Sequence, residues 1–333
     1  MKRSLITLSS LFLLAQPIGY AFAQSPDMSS EKHTAFFQKL ASEHKISRTE
    51  AIAILEQAQV SEEVLEAIAK PWEAKPWFEY YPIFLTERRL EQGLKFWREH
   101  QATLERAERE YGVPAQIIVA IIGVETFYGG YLGRHKVLDS LYTLAFHYPP
   151  RETFFRSELG HFLALVQEEK LPATELLGSY AGAMGFGQFI SSSYRAYAVD
   201  FDGDGQRDLI SNPVDAIGSV ANYFAKHKWQ AAQPIATPAW VSQGANVDAF
   251  ISNRGQQLTH TVGELLDAGI HFTTEAERDT KARLFKFDES AGNASYWVAL
   301  PNFYSITRYN HSPLYAMAVF QLSEQLRRGA QGF

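Results

Sequence analysis

The sequence predicts a mainly α fold of the α+β class, and three observations predict it. Apolar residues return every three or four positions over most of the stretch from about residue 30 to 228, the period of amphipathic helices. Between about residues 230 and 300 this gives way to short apolar runs such as "RLFKF" and "YWVAL", separated by polar, turn-rich stretches, which read as strands of a small, mainly β insertion. From "SPLYAMAVFQLSEQLRR" a final amphipathic helix returns, with Pro313 at its first position, and is expected to pack back on the α core. The 333 residues, 46% hydrophobic and 20% charged, suffice for a well-filled core in two or three lobes.

The chain opens with "MKRSLITLSSLFLLAQPIGYAFAQ", which joins Lys2 and Arg3 to an apolar stretch through Leu14 and a small-residue ending at Ala21-Phe22-Ala23. This is the pattern of a secretory signal peptide, residues 1–23, and its apolar part is short for a bilayer span. There is no cysteine. An exported chain without disulfides relies on packing, with a metal as the obvious reinforcement, and it lacks the cysteine that a lipid anchor needs. Cleavage after Ala23 moves the net charge from −6 to −8, because Lys2 and Arg3 leave and no acid does. That balance excludes a basic binder of nucleic acid or anionic lipid.

Three short helices are expected between Ser30 and about Lys70, capped by Ser30, by a Ser47/Glu50 capping box and by Ser61. They belong to an N-terminal helical lobe over residues 24–105. "KPWEAKPWFEYYPIF" interrupts it with three prolines and an aromatic cluster, as an irregular strap over a neighbouring surface would. A long helix is predicted from about Glu87 to Tyr111, with Gly112 and then Pro114 as its stop and the next start. Helices are further expected near 114–127, 152–169, 190–198 and 213–228, making residues 106–229 the core. The β-containing lobe spans 230–300, and 301–333 return to the core. No internal repeat or low-complexity segment is evident.

"IIVAIIGVETFYGG" places one carboxylate, Glu125, near the end of a helix that is apolar on every side. Burial and the negative end of the helix dipole both disfavour its ionisation. A carboxyl that keeps its proton near neutral pH is what a general acid needs. A buried Glu that only hydrogen-bonds a neighbouring loop fits equally well, and position in the sequence alone leaves the two even. Glycosidases usually need a second carboxylate, but the next acid is Asp139, which reads as an N-cap for "SLYTLAF".

"GSYAGAMGFGQF", residues 178–189, lacks the Lys-Ser/Thr of a phosphate loop and the glycine order of a dinucleotide fingerprint, and Ser179 sits in no nucleophile elbow. What remains is a backbone able to approach a ligand closely, with Ser179 and Gln188 as polar fingers and Met184 and Phe186 as an apolar floor. A tight helix connection is the simpler reading of the same glycines. "NFYSITRYNHSPLY" adds Phe303, Tyr304, Tyr309, Asn310 and Tyr315, and tyrosines suit sugar rings that are apolar on one face and ringed by hydroxyls.

In "DFDGDGQRDLISNPVD", Asp200, Asp202 and Asp204 occupy loop positions one, three and five, Gly205 position six, Gln206 seven and Asp208 nine. These are the first nine positions of an EF-hand calcium loop, where clustered carboxylates require a hard cation. Position twelve is Ser211 instead of Glu. Asp215 can replace it, although Asn212-Pro213-Val214-Asp215 also reads as N-cap to N3 of the next helix, where an acid is favourable without a metal. The ligand role is favoured.

Taken in order, "IIGVETFYGGYLG", "GSYAGAMGFGQF", "DFDGDGQRDL", "PVDAIGSVANYF" and "LPNFYSITRYNHS" resemble the membrane-bound lytic murein transglycosylase B family from about Lys75 to the C-terminus. The N-terminal helices and about residues 235–285 match only loosely. The resemblance implies a lysozyme-like α core with an N-terminal helical lobe, a small β lobe and one structural Ca2+ in the EF-hand-type loop. It implies a periplasmic lyase acting on peptidoglycan glycan strands, with other cell-wall enzymes as candidate partners, as a monomer with no transmembrane segment after signal cleavage. It also implies cleavage between N-acetylmuramic acid and N-acetylglucosamine to leave a 1,6-anhydromuramoyl end. Glu125 falls on the family's catalytic acid. Ser179, Gln188, Tyr223, Tyr309, Asn310 and Tyr315 fall on its glycan cleft, and Asp200, Asp202, Asp204, Gln206 and Asp215 on its calcium loop. The alternatives are a hydrolytic muramidase similar to goose-type lysozyme and a non-catalytic peptidoglycan-binding calcium protein. Many members carry a lipid-anchoring cysteine that is missing from this chain.

Overall fold

The computed structural model describes residues 28–70, 75–242, 247–251, 257–290 and 292–332. The expected signal peptide lies outside the described residues.

Three short helices open the described chain: α1 (Glu31–Lys39), α2 (Arg48–Leu55) and α3 (Glu62–Ile68). Their starts are where the caps place them, since the Ser30, Ser47 and Ser61 side chains each accept from a backbone N–H three residues on, and Glu50 completes the capping box. Each such cap satisfies an amide that the helix itself leaves unpaired. After α1 the chain continues through a π-turn, Leu40–His44. Residues 71–74 of the expected strap lie outside the described residues; its later part is a short helix, α4 (Trp77–Tyr80), followed by a 3-10 turn, with Trp77 buried at a ring distance of 5.4 Å from Phe287.

The single long helix expected over 87–111 is two helices, α5 (Glu87–Glu99) and α6 (Gln101–Tyr111). His100 breaks the run with a non-helical φ/ψ of −116°/22°. The halves then serve different partners, α5 packing on helices near Glu125 and at the C-terminus, α6 chiefly on the helix after the acidic loop. The expected lobe limit at residue 105 falls inside α6. Gly112, left-handed at φ 69°, ends α6 as anticipated.

The central helix α7 (Ala115–Thr126) buries every residue except Gln116 and Glu125. It packs on α14 (Pro313–Gly329), α5, α11 (Pro213–Lys226) and α6, while α8 (Val137–His147) pairs with α9 (Glu152–Glu168), α10 (Ser191–Tyr197) bridges α9 and α11, and α13 (Pro301–Tyr309) packs on α14. Asp139 is not the N-cap of α8. The helix starts two residues earlier, because His135–Lys136 (β1) pairs with Leu177–Gly178 (β2) and the Val137 N–H donates to the Leu176 carbonyl. Asp139 instead accepts the Gln59 N–H at 2.9 Å, tying α8 to the N-terminal helices.

The region after α11 forms a five-stranded antiparallel sheet in the order β4-β6-β7-β3-β5. Its strands are β3 (Ala236–Val241), β4 (His260–Thr261), β5 (Ile270–His271), β6 (Lys281–Ser290) and β7 (Asn293–Ala299), with one short helix, α12 (Val262–Asp267). The central pair contains the two runs that read as strands. One sheet face joins the main core through Phe285 and Phe287, while Val262, Leu265, Leu284 and Val298 build a smaller core of their own. Among the described residues no helix is long and apolar enough to cross a membrane.

Candidate active site

Glu125 is the penultimate residue of α7, and the way that helix stops decides what it faces. Phe127 and Tyr128 both adopt left-handed backbone, φ 53° and 62°, which is costly for aromatic residues. Two features hold them there. Their N–H groups return to the Gly123 and Ile122 carbonyls, closing the helix end, and the Tyr128 hydroxyl donates to the Arg89 carbonyl at 2.9 Å. The Tyr128 ring fits only because Gly123 and Gly93 lack side chains: a Cβ there would lie 2.6 Å and 2.3 Å from Tyr128 atoms. Two glycines inside otherwise helical patterns were the sequence signal for this close approach.

The glycine-rich segment is fastened to the same helix end. The Thr126 hydroxyl donates to the Phe186 carbonyl at 2.8 Å and accepts the Gly129 N–H at 3.0 Å. Within the segment Met184 and Phe189 exchange backbone hydrogen bonds, each 3.0 Å, and Ser179 Oγ accepts the Ala181 and Ala183 N–H groups. Met184 is fully buried, so it anchors the loop and does not form the floor of a ligand site as expected. Its backbone pairing turns the side chain into the core. Gln188, left-handed at φ 48°, donates through its amide to the Leu132 and Gly185 carbonyls.

Among the described residues the Glu125 carboxyl receives one side-chain hydrogen bond, from the Tyr315 hydroxyl in the first turn of α14, at 2.5 Å. Desolvation pushes its pKa up to about 7, and the bond from Tyr315 opposes that shift. Tyr309 lies near enough that the Glu125 charge helps raise its phenol well above the usual range, after burial. Tyr80, absent from the sequence reading, acts on Tyr315 in the same way.

Tyr309 also lines an open cleft of about 430 Å3, whose walls include Gln188, Phe189, Tyr223, His227 and Arg308 but not Glu125 itself. Tyr309 donates to the Gly187 carbonyl at 2.6 Å, and Tyr223 to the Arg308 carbonyl. His227 stacks on Tyr223 at 3.9 Å and donates from Nδ1 to the Tyr223 carbonyl at 2.7 Å. Burial and then Arg308 hold its pKa down, against that hydrogen bond. Sequence reasoning missed His227 and Arg308, which stand in no recognisable motif. Gln188, Tyr223 and Tyr309 thus share one cleft; Ser179 and Asn310 flank it in sequence, half-buried. Phe303 is core, 5.5 Å from Phe285.

In the acidic loop one carboxylate oxygen each from Asp200, Asp202 and Asp204 lie within 4.8 Å of one another. Gly203 and Gly205, at φ 82° and 94°, wrap the loop so that Gly203, Asp204 and Gly205 N–H groups all point at Asp200. The Gln206 N–H donates to Asp204. Asp215 is buried outside this trio, and its two oxygens accept the Phe201 N–H at 2.7 Å and the Asp208 N–H at 2.8 Å. Asp208 turns to Ile210 and Ser211.

A family model, the transglycosylase SLT domain, matches residues 29–324. Membrane-bound lytic murein transglycosylase B of Escherichia coli (strain K12) is 40% identical over 317 residues, covering 92% of this chain and 84% of that one. The structure of the Escherichia coli lytic transglycosylase Slt35 in complex with calcium superposes with a TM-score of 0.82 at 38% identity, covering 95% of this chain and 99% of that one. SltB3 from Pseudomonas aeruginosa in complex with NAG-NAM-pentapeptide gives 0.78 at 30% identity, covering 90% and 79%. With a family model and relatives that each span most of its length, the chain belongs to the transglycosylase SLT domain family and has that family's lysozyme-like fold.

Proposed function

We propose that this peptidoglycan lytic transglycosylase works with one carboxyl group, Glu125, as both acid and base. The observation that carries the reading is geometric: Glu125 stands at the end of the apolar helix α7 with the Tyr315 hydroxyl on its Oε1 and, among the described residues, no second carboxylate in contact with it, and desolvation there pushes its pKa up to about 7. A protonated Glu125 gives its proton to the glycosidic oxygen between N-acetylmuramic acid and N-acetylglucosamine as the C1–O bond breaks. The oxocarbenium-like C1 is stabilised by the muramoyl 2-acetamido carbonyl or by fixed dipoles. The ionised carboxylate, held by the Tyr315 hydroxyl, then takes the proton from the C6 hydroxyl as O6 bonds to C1, leaving a 1,6-anhydro ring and a reprotonated Glu125. Attack from within the same sugar has a high effective molarity, so water need not enter. Gln188, Tyr223 and Tyr309 offer sugar-facing surface in the cleft; Ser179, Asn310 and Tyr315 are proposed as further glycan contacts on the family resemblance alone.

The acidic loop is proposed to hold one Ca2+ through Asp200, Asp202, Asp204, the Gln206 carbonyl and Asp215. The trio's spacing supports this, since clustered carboxylates of this kind suit a hard, oxygen-seeking cation. Asp215 oxygens that already accept N–H groups keep lone pairs for a metal. The ion supplies charge neutralisation to the loop and takes no part in bond cleavage. Residues 1–23 are proposed to export the chain to the compartment where peptidoglycan lies.

Mass analysis of soluble products from digested sacculi tests the reading. Muropeptides one water lighter than hydrolysis products are expected; full-mass reducing ends as the sole product would replace it with hydrolysis.

A further inference from the structure

A groove of about 450 Å3 runs between α14 and the sheet. It lies on the far side of α14 from Glu125: Glu324, which lines it, comes about two and a half turns after Tyr315, so the two side chains leave the helix in opposite directions. One wall is apolar and carries Trp297 of β7, Pro238, its cross-strand partner on β3, and Phe320 of α14. Trp297 is fixed, since its Nε1 donates to Ser295 Oγ at 3.3 Å and Phe320 packs edge-on to it at 6.0 Å. The other wall is polar. Gln321 and Gln325 stand one turn apart on α14, and among the described residues neither side chain has a partner in the protein. The charges beside them are turned on the helix itself: Arg327 pairs with Glu324 at 2.8 Å, and Arg328 Nε donates to the Glu324 carbonyl at 3.1 Å.

β3 carries the apolar wall further. Side chains alternate along a strand, so Trp240 shares the face of Pro238 about 7 Å on. Trp240 is 59% exposed, yet its ring is held by stacking on His271 of β5 at 5.9 Å, and His271 Nε2 is 2.6 Å from Ser242 Oγ. A single exposed apolar side chain needs no explanation. A held indole in line with a second tryptophan and two unengaged amides has the composition of a carbohydrate site, where the C–H faces of pyranose rings lie on aromatic rings and hydroxyl or acetamido groups meet amides. An anionic ligand would find here two arginines already engaged with Glu324.

We propose that this groove, extended by Trp240, is a second glycan-binding site, which holds one stretch of peptidoglycan while the cleft acts on another. Two contacts with one polymer raise avidity without a tighter grip in the cleft. The proposal takes the polymer from the family's activity and nothing from the role of Glu125, and the groove takes no part in bond cleavage.

The probe is tetra-N-acetylchitotetraose, which has neither stem peptide nor lactyl carboxylate. The indole N–H resonances of Trp240 and Trp297, assigned by Trp→Phe substitution, should shift saturably on titration, and the shifts should persist at high salt because no ion pair is involved. No shift at either indole, or shifts that salt abolishes, overturns the proposal. Digestion of purified sacculi supplies the second measurement. Trp240→Ala should raise KM by roughly tenfold, the loss of one stacked aromatic contact, with kcat unchanged, and Trp240→Phe should recover part of the loss. An unchanged KM, or a fall in kcat of the same size, overturns the proposal. If Trp240→Ala weakens binding to envelope fractions that keep their proteins but not to purified sacculi, the face docks a protein and the glycan assignment is overturned. Indole shifts in a wild type that releases no anhydro product would support the groove and refute the Glu125 mechanism.

Discussion

The Tyr315 hydroxyl donates to Glu125 Oε1 at 2.5 Å, joining the first turn of α14 to the last turn of α7 across 190 positions of sequence. Among the described residues it is the only group that draws the Glu125 pKa downward, against a burial that raises it. The pair therefore sets the proton affinity of the proposed acid from both directions.

Glu125→Gln should keep the fold and lose activity by about 10^3-fold or more, within the span attributed to general acid–base groups. Released muropeptide per unit time checks it, with circular dichroism as the control; near-full turnover would sink the assignment.

The same substitution should change stability with pH. Glu125 has a raised folded pKa, so the folded state binds more protons than the unfolded one between the ordinary value and about 7. Its favourable contribution is complete at acid pH and is lost as pH rises through about 7. Gln cannot ionise. The variant should therefore melt higher than wild type at pH 8.5, by about 5 °C, and close to it at pH 4. A difference of the same size at both values would contradict the burial argument.

Tyr315→Phe removes the bond that favours the charged form, so the Glu125 pKa should rise further. The alkaline limb of the pH–rate profile should move to higher pH, and kcat near neutrality should fall by roughly tenfold, because the carboxylate loses its support in the second proton transfer. An unshifted limb would show that the limb belongs to another group.

Gly123→Ala drives a methyl into the Tyr128 ring, 2.6 Å from its Cζ. A rigid aromatic held by a hydrogen bond to Arg89 yields poorly, and overpacking of this kind costs about 1–3 kcal/mol. Denaturant unfolding should show it. Adding Tyr128→Ala should recover part of the stability if the clash is the cause.

Chelation should lower the melting temperature by several degrees without changing the cleavage product, since the acidic loop adjoins α11 and not Glu125. In Asp202→Asn and Asp204→Asn variants the calcium-dependent increment should disappear. Identical melting with calcium and with chelator in wild type would remove the ion from the account.

Much of the architecture was legible because it depends on neighbours in the chain. Ser30, Ser47, Ser61 and Asn212 cap helices through side chains that reach only two or three residues, and Gly112 stops one by a local dihedral. The aspartates of the acidic loop converge because a short turn makes them do so. Where reading failed, a distant partner had intervened. Asp139 lost its capping role to strand pairing with Leu177–Gly178, His100 broke a helix whose halves pack on different partners, and Met184 turned inward on pairing with Phe189.

By itself the sequence determined that a lone carboxylate would end an apolar helix, that three aspartates would share a loop, and where most of the core helices and the β-containing lobe would lie, because spacing and caps act over a few residues. Only the tertiary structure decided which proton donor meets Glu125, how far water is excluded from it, and that Pro238 and Trp297 of the sheet share one groove with Gln321 and Gln325 of α14. Desolvation and charge are properties of everything packed around a group, and no local stretch of chain contains that information.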